Sequence, residues 1–395
     1  MPQPILCLDE EVYHFAKRFD ALFSRPQYQY LVTVLLGLME CDGKRTLSGL
    51  LHEVGQALSL SGLSRFFSQA PWEPGAVVAC WLRHFRAEMQ PQVEAKREQE
   101  RKAQPKRRGR RKEPLVTGYL IGDDSTMSKP KGRKMQGLGK HHSTTHDQRI
   151  IGHSLVQGLY LLLDRRCPLA PHLYRQGKVC QAEDVAFSSK IELMETLIRE
   201  FEPVAGTRTH ILLDSWYSAK RLWHAARERG FLITTGLKSN RWVRVPDDTV
   251  AQGWRWQKLS AYAAGLSERD FELLPWPRGG RRCMSMWSRR AYASSIAARW
   301  DIEVFFDDGK EELGLDHYQV MSASALLRFW TLAMLAYVFL EEEQQRLRLS
   351  WQRPVTIGEA RREIQRRHRR CLLEWLHDQF LSGVHPETLF ELFAA

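Results

Sequence analysis

VTGYLIGDD, residues 116–124, is a short apolar run that ends in two carboxylates. It reads as a buried strand. RIIGHSLVQGLYLLLD (149–164) reads as one or two longer strands, turning near Gln157-Gly158. THILLD (209–214) is a second short buried strand ending in Asp, followed by a helix from about Tyr217 to Arg229. FLITTG (231–236) is another strand. Strands first, then helix and strand in alternation, describe a mixed α/β layer.

The flanks have different textures. Residues 1–92 carry helical periodicity in LVTVLLGLM, LSGLLHEVGQAL and VVACWLRHF, and form an N-terminal helical domain. Within it, Thr46 to Gln69 reads as two short helices around a Ser/Gly break. One reading is a helix-turn-helix with Arg65 facing DNA; the other is two helices of a small bundle. Residues 93–114 form a basic segment, with ten basic and two acidic residues between Lys96 and Lys112. It is a solvated linker or a helix extension, and its Arg107, Arg108, Arg110 and Arg111 suit phosphates or a minor groove. It also has the composition of a nuclear-import signal. Residues 115–345 contain the α/β layer, interrupted at 238–290 by a short, polar, turn-rich stretch holding Trp242, Trp254, Trp256, Trp276 and Trp287. That stretch reads as a small β-rich insertion. Residues 346–395 return to helix.

The 395 residues suffice for two or three domains with a real core. A net charge of +12 points to a polyanionic partner, with nucleic acid ahead of a membrane surface. Seven scattered cysteines with no C-x-x-C pair argue against a zinc ribbon or disulfide framework and for a reducing compartment. The N-terminal residues lack the pattern of a signal peptide. The most apolar segment, 325–340, contains Arg328 and reads as a core helix, so no membrane span is expected.

Two strand-end aspartates in adjacent strands would point into one crevice. A third carboxylate comes from RWDIEVFFDDGK (299–310). On a helix, Glu303 lies about 40° round from Arg299 and Lys310 about 20° round, so the three share a stripe with Phe306. Ile302, Val304 and Phe305 spread over the remaining surface, which predicts packing on more than one side. Gly309 is a candidate early end for this helix. Three crowded carboxylates require protons or cations, and oxygen-only donors select a hard ion such as Mg²⁺. Singly, each has a plainer reading: Asp214 as a helix cap, Glu303 as the ion-pair partner of Arg299. Asp123 and Asp124 face opposite sides of a strand, and periodicity does not choose between them.

With these residues assembled, the chain resembles the DDE transposases of bacterial insertion sequences, in the group marked by a Y-R-E-K signature. Arg299, Glu303 and Lys310 match its R-E and E-K spacings; Ile296 stands where the Tyr belongs, and Tyr292 is too early. GDDS, LLDSWY and the LGL after Lys310 extend the likeness. The resemblance implies an RNase-H-like core with a β-rich insertion, flanked by N- and C-terminal helical regions. It favours Asp124 over Asp123, with Asp214 and Glu303 completing the metal-binding and catalytic set for two Mg²⁺ ions, Mn²⁺ substituting. It implies a cytoplasmic, nucleoid-associated protein acting on double-stranded DNA, as a homodimer on paired ends, by phosphodiester hydrolysis and strand transfer. Arg299 and Lys310 would hold phosphates, and one insertion aromatic would stack on an extruded base; Trp254 and Trp256 are the candidates.

The basic stretch 128–142 (SKPKGRKMQGLGKHH) is either a DNA-tracking loop, through Lys129, Lys131, Arg133, Lys134 and Lys140, or a mobile basic loop. His141 and His142 are phosphate neighbours or plain surface, and His153 is a satisfied core residue. Two other functions fit the same residues: an RNase-H-like endonuclease or resolvase without strand transfer, and a transposase-derived DNA-binding protein.

Overall fold

The computed structural model describes residues 10–54, 58–104, 113–143, 148–238, 240–265, 267, 272–274, 281–283 and 298–389. The first helices are α1 (Glu10–Lys17), α2 (Arg25–Glu40), α3 (Leu47–Val54), α4 (Leu60–Ser68) and α5 (Pro74–Ala103). Local signals set their starts. Ser24 and Gln27 form a capping box on α2, and the Ser59 hydroxyl accepts from Gly62 N (3.1 Å) to cap α4. Arg65 is exposed on α4. Helix α5 continues through residues 93–103, so this part of the basic segment is a helix extension rather than a linker. Arg107, Arg108, Arg110 and Arg111 lie outside the described residues.

Next come β1 (Val116–Ser128), β2 (Gly139–Ser143), β3 (Gln148–Leu162), β4 (Arg165–Pro168) and β5 (His172–Tyr174), then α6 (Gly177–Glu183) and α7 (Lys190–Glu200). They are followed by β6 (Thr207–Leu213), α8 (Lys220–Glu228) and β7 (Leu232–Thr235). These strands form one mixed sheet in the order β2-β3-β1-β6-β7, with β4 and β5 also paired to β3. β1 is antiparallel to β3 and parallel to β6, and β6 is parallel to β7.

Two sequence expectations change here. β3 is one continuous strand of 15 residues with no turn at Gln157-Gly158. Gln157 is fully buried, and its Nε2 donates to the carbonyls of Gly158 and Leu169 (2.8 Å each), so a polar residue that resembled a turn is an internal strap. β1 does not end at Asp124 but runs four residues further; its parallel partner β6 stops at Leu213, opposite Gly122. The two aspartates therefore sit where β1 loses its parallel neighbour.

Outside this sheet, β8 (Trp242–Pro246) pairs with β9 (Trp254–Lys258), α9 (Leu259–Ala264) follows, and β10 (Glu272–Leu274) pairs with β11 (Arg281–Cys283). Trp276 and Trp287 fall outside the described residues. Among the described residues the long helices that follow are α10 (Asp301–Glu311), α11 (Ala323–Trp351) and α12 (Ile357–Leu381).

Helix α11 organises the interior. It packs against α2, α4, α5, β4, β5, α10 and α12, and one apolar core runs from Phe15 and Phe67 through Trp330 to Ile121 and Leu159. Its Arg328 is satisfied by the carbonyls of Phe67 (2.9 Å), Ala70 (2.6 Å) and Trp72 (3.0 Å). By length and composition alone α11 could cross a membrane, but 89% of its most apolar window is buried inside the protein. It is a core helix.

Candidate active site

Asp124 and Gly122 lie on the same side of β1. A Cβ on Gly122 would come 2.5 Å from Met194 Sδ, so α7 is packed hard against that side and a larger residue there would push it away. Asp124 thus faces α7 and Asp123 the opposite way. Both oxygens of Asp124 are engaged: Oδ1 accepts from the Tyr217 hydroxyl (2.9 Å), and Oδ2 pairs with the Lys190 ammonium. Lys190 is the first residue of α7, inside the capping box formed by Ser189 and Glu192. Its ammonium also lies 5.3 Å from the Tyr174 ring centre and 5.6 Å from that of Trp216.

Asp214 follows the last residue of β6 and caps a short 3-10 turn, accepting at Oδ1 from Trp216 N (2.9 Å) and Tyr217 N (3.2 Å). The capping reading is therefore correct, and it fixes the carboxylate beside β1. Tyr217 joins the two aspartates, with its backbone on one and its phenol on the other. Burial, and then the Asp124 charge, push its phenol well above the ordinary tyrosine range. For Asp123, burial first and then the neighbouring Asp124 push the carboxyl up to about 7.

Glu303 stands in the first turn of α10 and pairs with Arg299 at 3.0 Å. The helix begins at Asp301, so Arg299 lies just before it, and it runs on through Gly309 to Glu311 rather than ending early. Ile302, Phe305, Phe306 and Gly309 are buried while Val304 is 38% exposed, so α10 packs with one broad face rather than on several sides. Arg166 on β4 anchors it. Its Nε donates to Asp301 Oδ1 (2.7 Å), and its backbone N donates to Glu341 Oε1 on α11 (2.9 Å). Burial opposes the Arg166 charge, but Tyr337, Asp301 and Glu341 outweigh it and raise its pKa.

Asp123, Asp124, Asp214 and Glu303 all line one open cavity of about 780 Å³, together with Lys140, His141, His142, Lys190, Trp216 and Lys310. The carboxylates singled out in the sequence therefore line one cavity. Sequence reasoning missed Lys190, Tyr217 and Trp216. LLDSWY contains Trp216 and Tyr217, but nothing in a lone Ser-Ser-Lys at a helix start signals a partner for an aspartate on a distant strand.

The expected crowding of charge is relieved by the protein itself, through Lys190 at Asp124, Arg299 at Glu303 and backbone N–H groups at Asp214. The donors are carboxylate oxygens, which suit a hard divalent cation. Among the described residues, no three of His, Cys, Asp and Glu converge on a point where an ion could already sit. An ion would have to draw them together.

The remaining candidates divide. Lys131, Arg133 and Lys134 are exposed between β1 and β2 but do not line the cavity. Lys129 is tied down within the protein, contrary to its reading as a DNA-tracking residue: its ammonium binds the carbonyls of Asp316 and Tyr318 and lies 3.8 Å over the Tyr318 ring. Burial pushes it down to about 8, and it fastens the loop rather than tracking a ligand. His153 is the satisfied core residue expected, with Nδ1 at the Tyr318 hydroxyl (2.8 Å) and Nε2 at Gln136 O (2.9 Å). Trp254 and Trp256 lie on one face of β9, their ring centres 4.2 and 5.2 Å from the Arg244 guanidinium. The register Trp242↔Lys258 and Arg244↔Trp256 puts three Trp, one Arg and one Lys on that face.

A family profile described as "DDE superfamily endonuclease" matches residues 18–261, more than half of the chain. The match covers Asp124 and Asp214 and ends before Glu303. No curated protein matches the sequence. The chain belongs to the DDE superfamily endonucleases.

Proposed function

We propose that this DDE superfamily endonuclease is a transposase that binds terminal inverted repeats, hydrolyses phosphodiester bonds at the element ends and joins the freed 3′-OH to target DNA. The observation that carries the reading is the single cavity lined by Asp124, Asp214 and Glu303 and rimmed by Lys140, Lys190 and Lys310. A carboxylate floor under a cationic rim suits a phosphodiester whose scissile group reaches the carboxylates while its neighbours are held by lysines. The sheet, antiparallel at β3-β1 and parallel at β1-β6-β7, supports an RNase-H-like core, with 238–290 as an insertion.

In this reading Asp124, Asp214 and Glu303 would hold two Mg²⁺ ions, whose charge would assist an in-line displacement at phosphorus. Tyr217 orients Asp124, and the backbone cap orients Asp214. Arg299 leaves Glu303 for a DNA phosphate, and Lys310 binds a second. The face that carries the exposed Trp242 and Trp256, with Arg244, the half-buried Trp254 and Lys258, suits stacking on an unpaired base at the cut end. Lys131, Arg133, Lys134 and the arginines at 107–111 meet the backbone farther from the cut. Two copies on paired ends complete the assembly.

The test is cleavage and joining of labelled end-containing DNA in Mg²⁺ by the wild type and by D124N, D214N and E303Q. Each substitution is expected to abolish nicking while gel-shift binding survives. Normal cutting by any of the three removes that residue from the set. Cutting by the wild type without joined product makes the protein an endonuclease or resolvase. Binding without cutting makes it a transposase-derived DNA-binding protein.

A further inference from the structure

We infer that Lys190 is a built-in counter-ion for Asp124 that competes with a divalent cation for the same carboxylate, so that loading the site requires its displacement. The inference rests on the metal-dependent reading above and concerns which protein group competes for that site. Three observations carry it. Both Asp124 oxygens have protein partners, and the one at Oδ2 is itself a cation. The pair is sheltered, its side chains only 16% and 19% exposed, so the ammonium offsets a charge that water solvates poorly. And the ammonium is caged from other sides by Tyr174 and Trp216, whose ring faces favour a cation at that spot.

The tether explains why this contact is replaceable. The capping box of Ser189 and Glu192 fixes the start of α7, while Lys190 reaches Asp124 through a flexible four-carbon stem. An ion arriving at Asp124 needs only that stem to rotate. No backbone element has to move, and the released ammonium stays in the cavity wall beside Trp216 and Lys140, where a phosphate would find it. A carboxylate that is otherwise repelled by Asp123 and Asp214 thus keeps a partner at every stage.

The experiment is calorimetric titration of Mn²⁺ into the metal-stripped full chain, without DNA, for wild type, K190M, K190Q and K190R. Circular dichroism and thermal unfolding in EDTA check that each variant is folded. K190M and K190Q are expected to bind Mn²⁺ on the order of tenfold more tightly than wild type, as removal of one adjacent cation from a carboxylate implies. K190R, which keeps the charge, is expected to remain near wild type. Binding by folded K190M or K190Q that equals or falls below wild type overturns the counter-ion role and leaves the metal site standing. If neither wild type nor the neutral variants take up Mn²⁺, the metal reading itself fails and takes this inference with it. Two uncharged variants of different polarity are used so that a folding defect in one does not decide the outcome.

Discussion

Tyr217 touches both aspartates, which makes its hydroxyl the most informative single atom to remove. Y217F keeps the buried ring and the backbone N–H on Asp214, and deletes only the 2.9 Å hydrogen bond to Asp124. A hydrogen bond to a charged group contributes about 1.5–3 kcal/mol. Single-turnover DNA cleavage is therefore expected to slow about tenfold or more, with DNA affinity unchanged; a wild-type rate would mean that the hydroxyl does not orient Asp124. His153 gives a test of stability instead. Burial holds its imidazole neutral, down to about 4, against about 6.5 in an unfolded chain. The unfolded state therefore takes up the proton first as pH falls. The contribution of His153 is intact above about 6.5 and is lost progressively towards about 4, by at most about 3 kcal/mol. Urea unfolding of wild type between pH 7.5 and 4.5 is expected to show this loss, and H153Q a shallower slope; parallel slopes would place the acid sensitivity elsewhere. Residues of this kind differ in how legible they are. Asp214 stands out as an acid that ends an apolar run, and Glu303 as an acid in line with Arg299 and Lys310 on one helix. The side on which Asp124 falls depends on Gly122 meeting Met194, a contact between segments about seventy residues apart that no local pattern contains.

Helix α10 carries Glu303 and Lys310 to the cavity, and what holds its first turn is Arg166, which arrives from β4 and also joins α11. R166M keeps much of the apolar stem and leaves Asp301 without its cation in a part-buried setting. Loss of one partner of such a pair costs about 3 kcal/mol. A lower thermal midpoint is expected together with a cleavage defect, because Glu303 loses its fixed starting point two residues on. R166K, with the charge but not the two-pronged geometry, should recover stability in part and activity less. Equal activity in R166M and wild type would mean that Phe305 and Phe306 alone seat the helix. The elements themselves were legible where pattern and length agreed, as for β6, α8 and the helix spanning 325–340. They were misread where a polar residue does internal work. Gln157-Gly158 has the composition of a turn, yet Gln157 spends its amide on two buried carbonyls and β3 passes straight through. The charged residues 93–103 likewise bury little, but a helix already under way at Pro74 continues through them at small cost per residue.

At the scale of the whole molecule, α11 is the piece that every layer shares. Its Phe329 and Trp330 meet the sheet side through Tyr318 and His153, and Phe329 also meets Phe67 of α4. Its Arg328 depends on three carbonyls that lie between residues 67 and 72. The change in sequence texture near residue 92 marks off an N-terminal helical domain, while texture reports local periodicity and carries no information on which surfaces a distant helix needs covered. The physical consequence is testable by removing residues 1–92. The remaining chain would expose the faces of α11 now covered by α2, α4 and α5, and would leave a guanidinium with none of its acceptors. Such a chain is expected to keep helical circular dichroism, to bind an apolar dye and to unfold without a sharp transition, as states that have lost specific packing do. The full chain is expected to unfold in one cooperative step in which the near- and far-ultraviolet signals coincide. A truncated chain that unfolds sharply would make the N-terminal helices a separable unit. Their packing on α11 would then be a docking contact that could be released when the protein engages DNA.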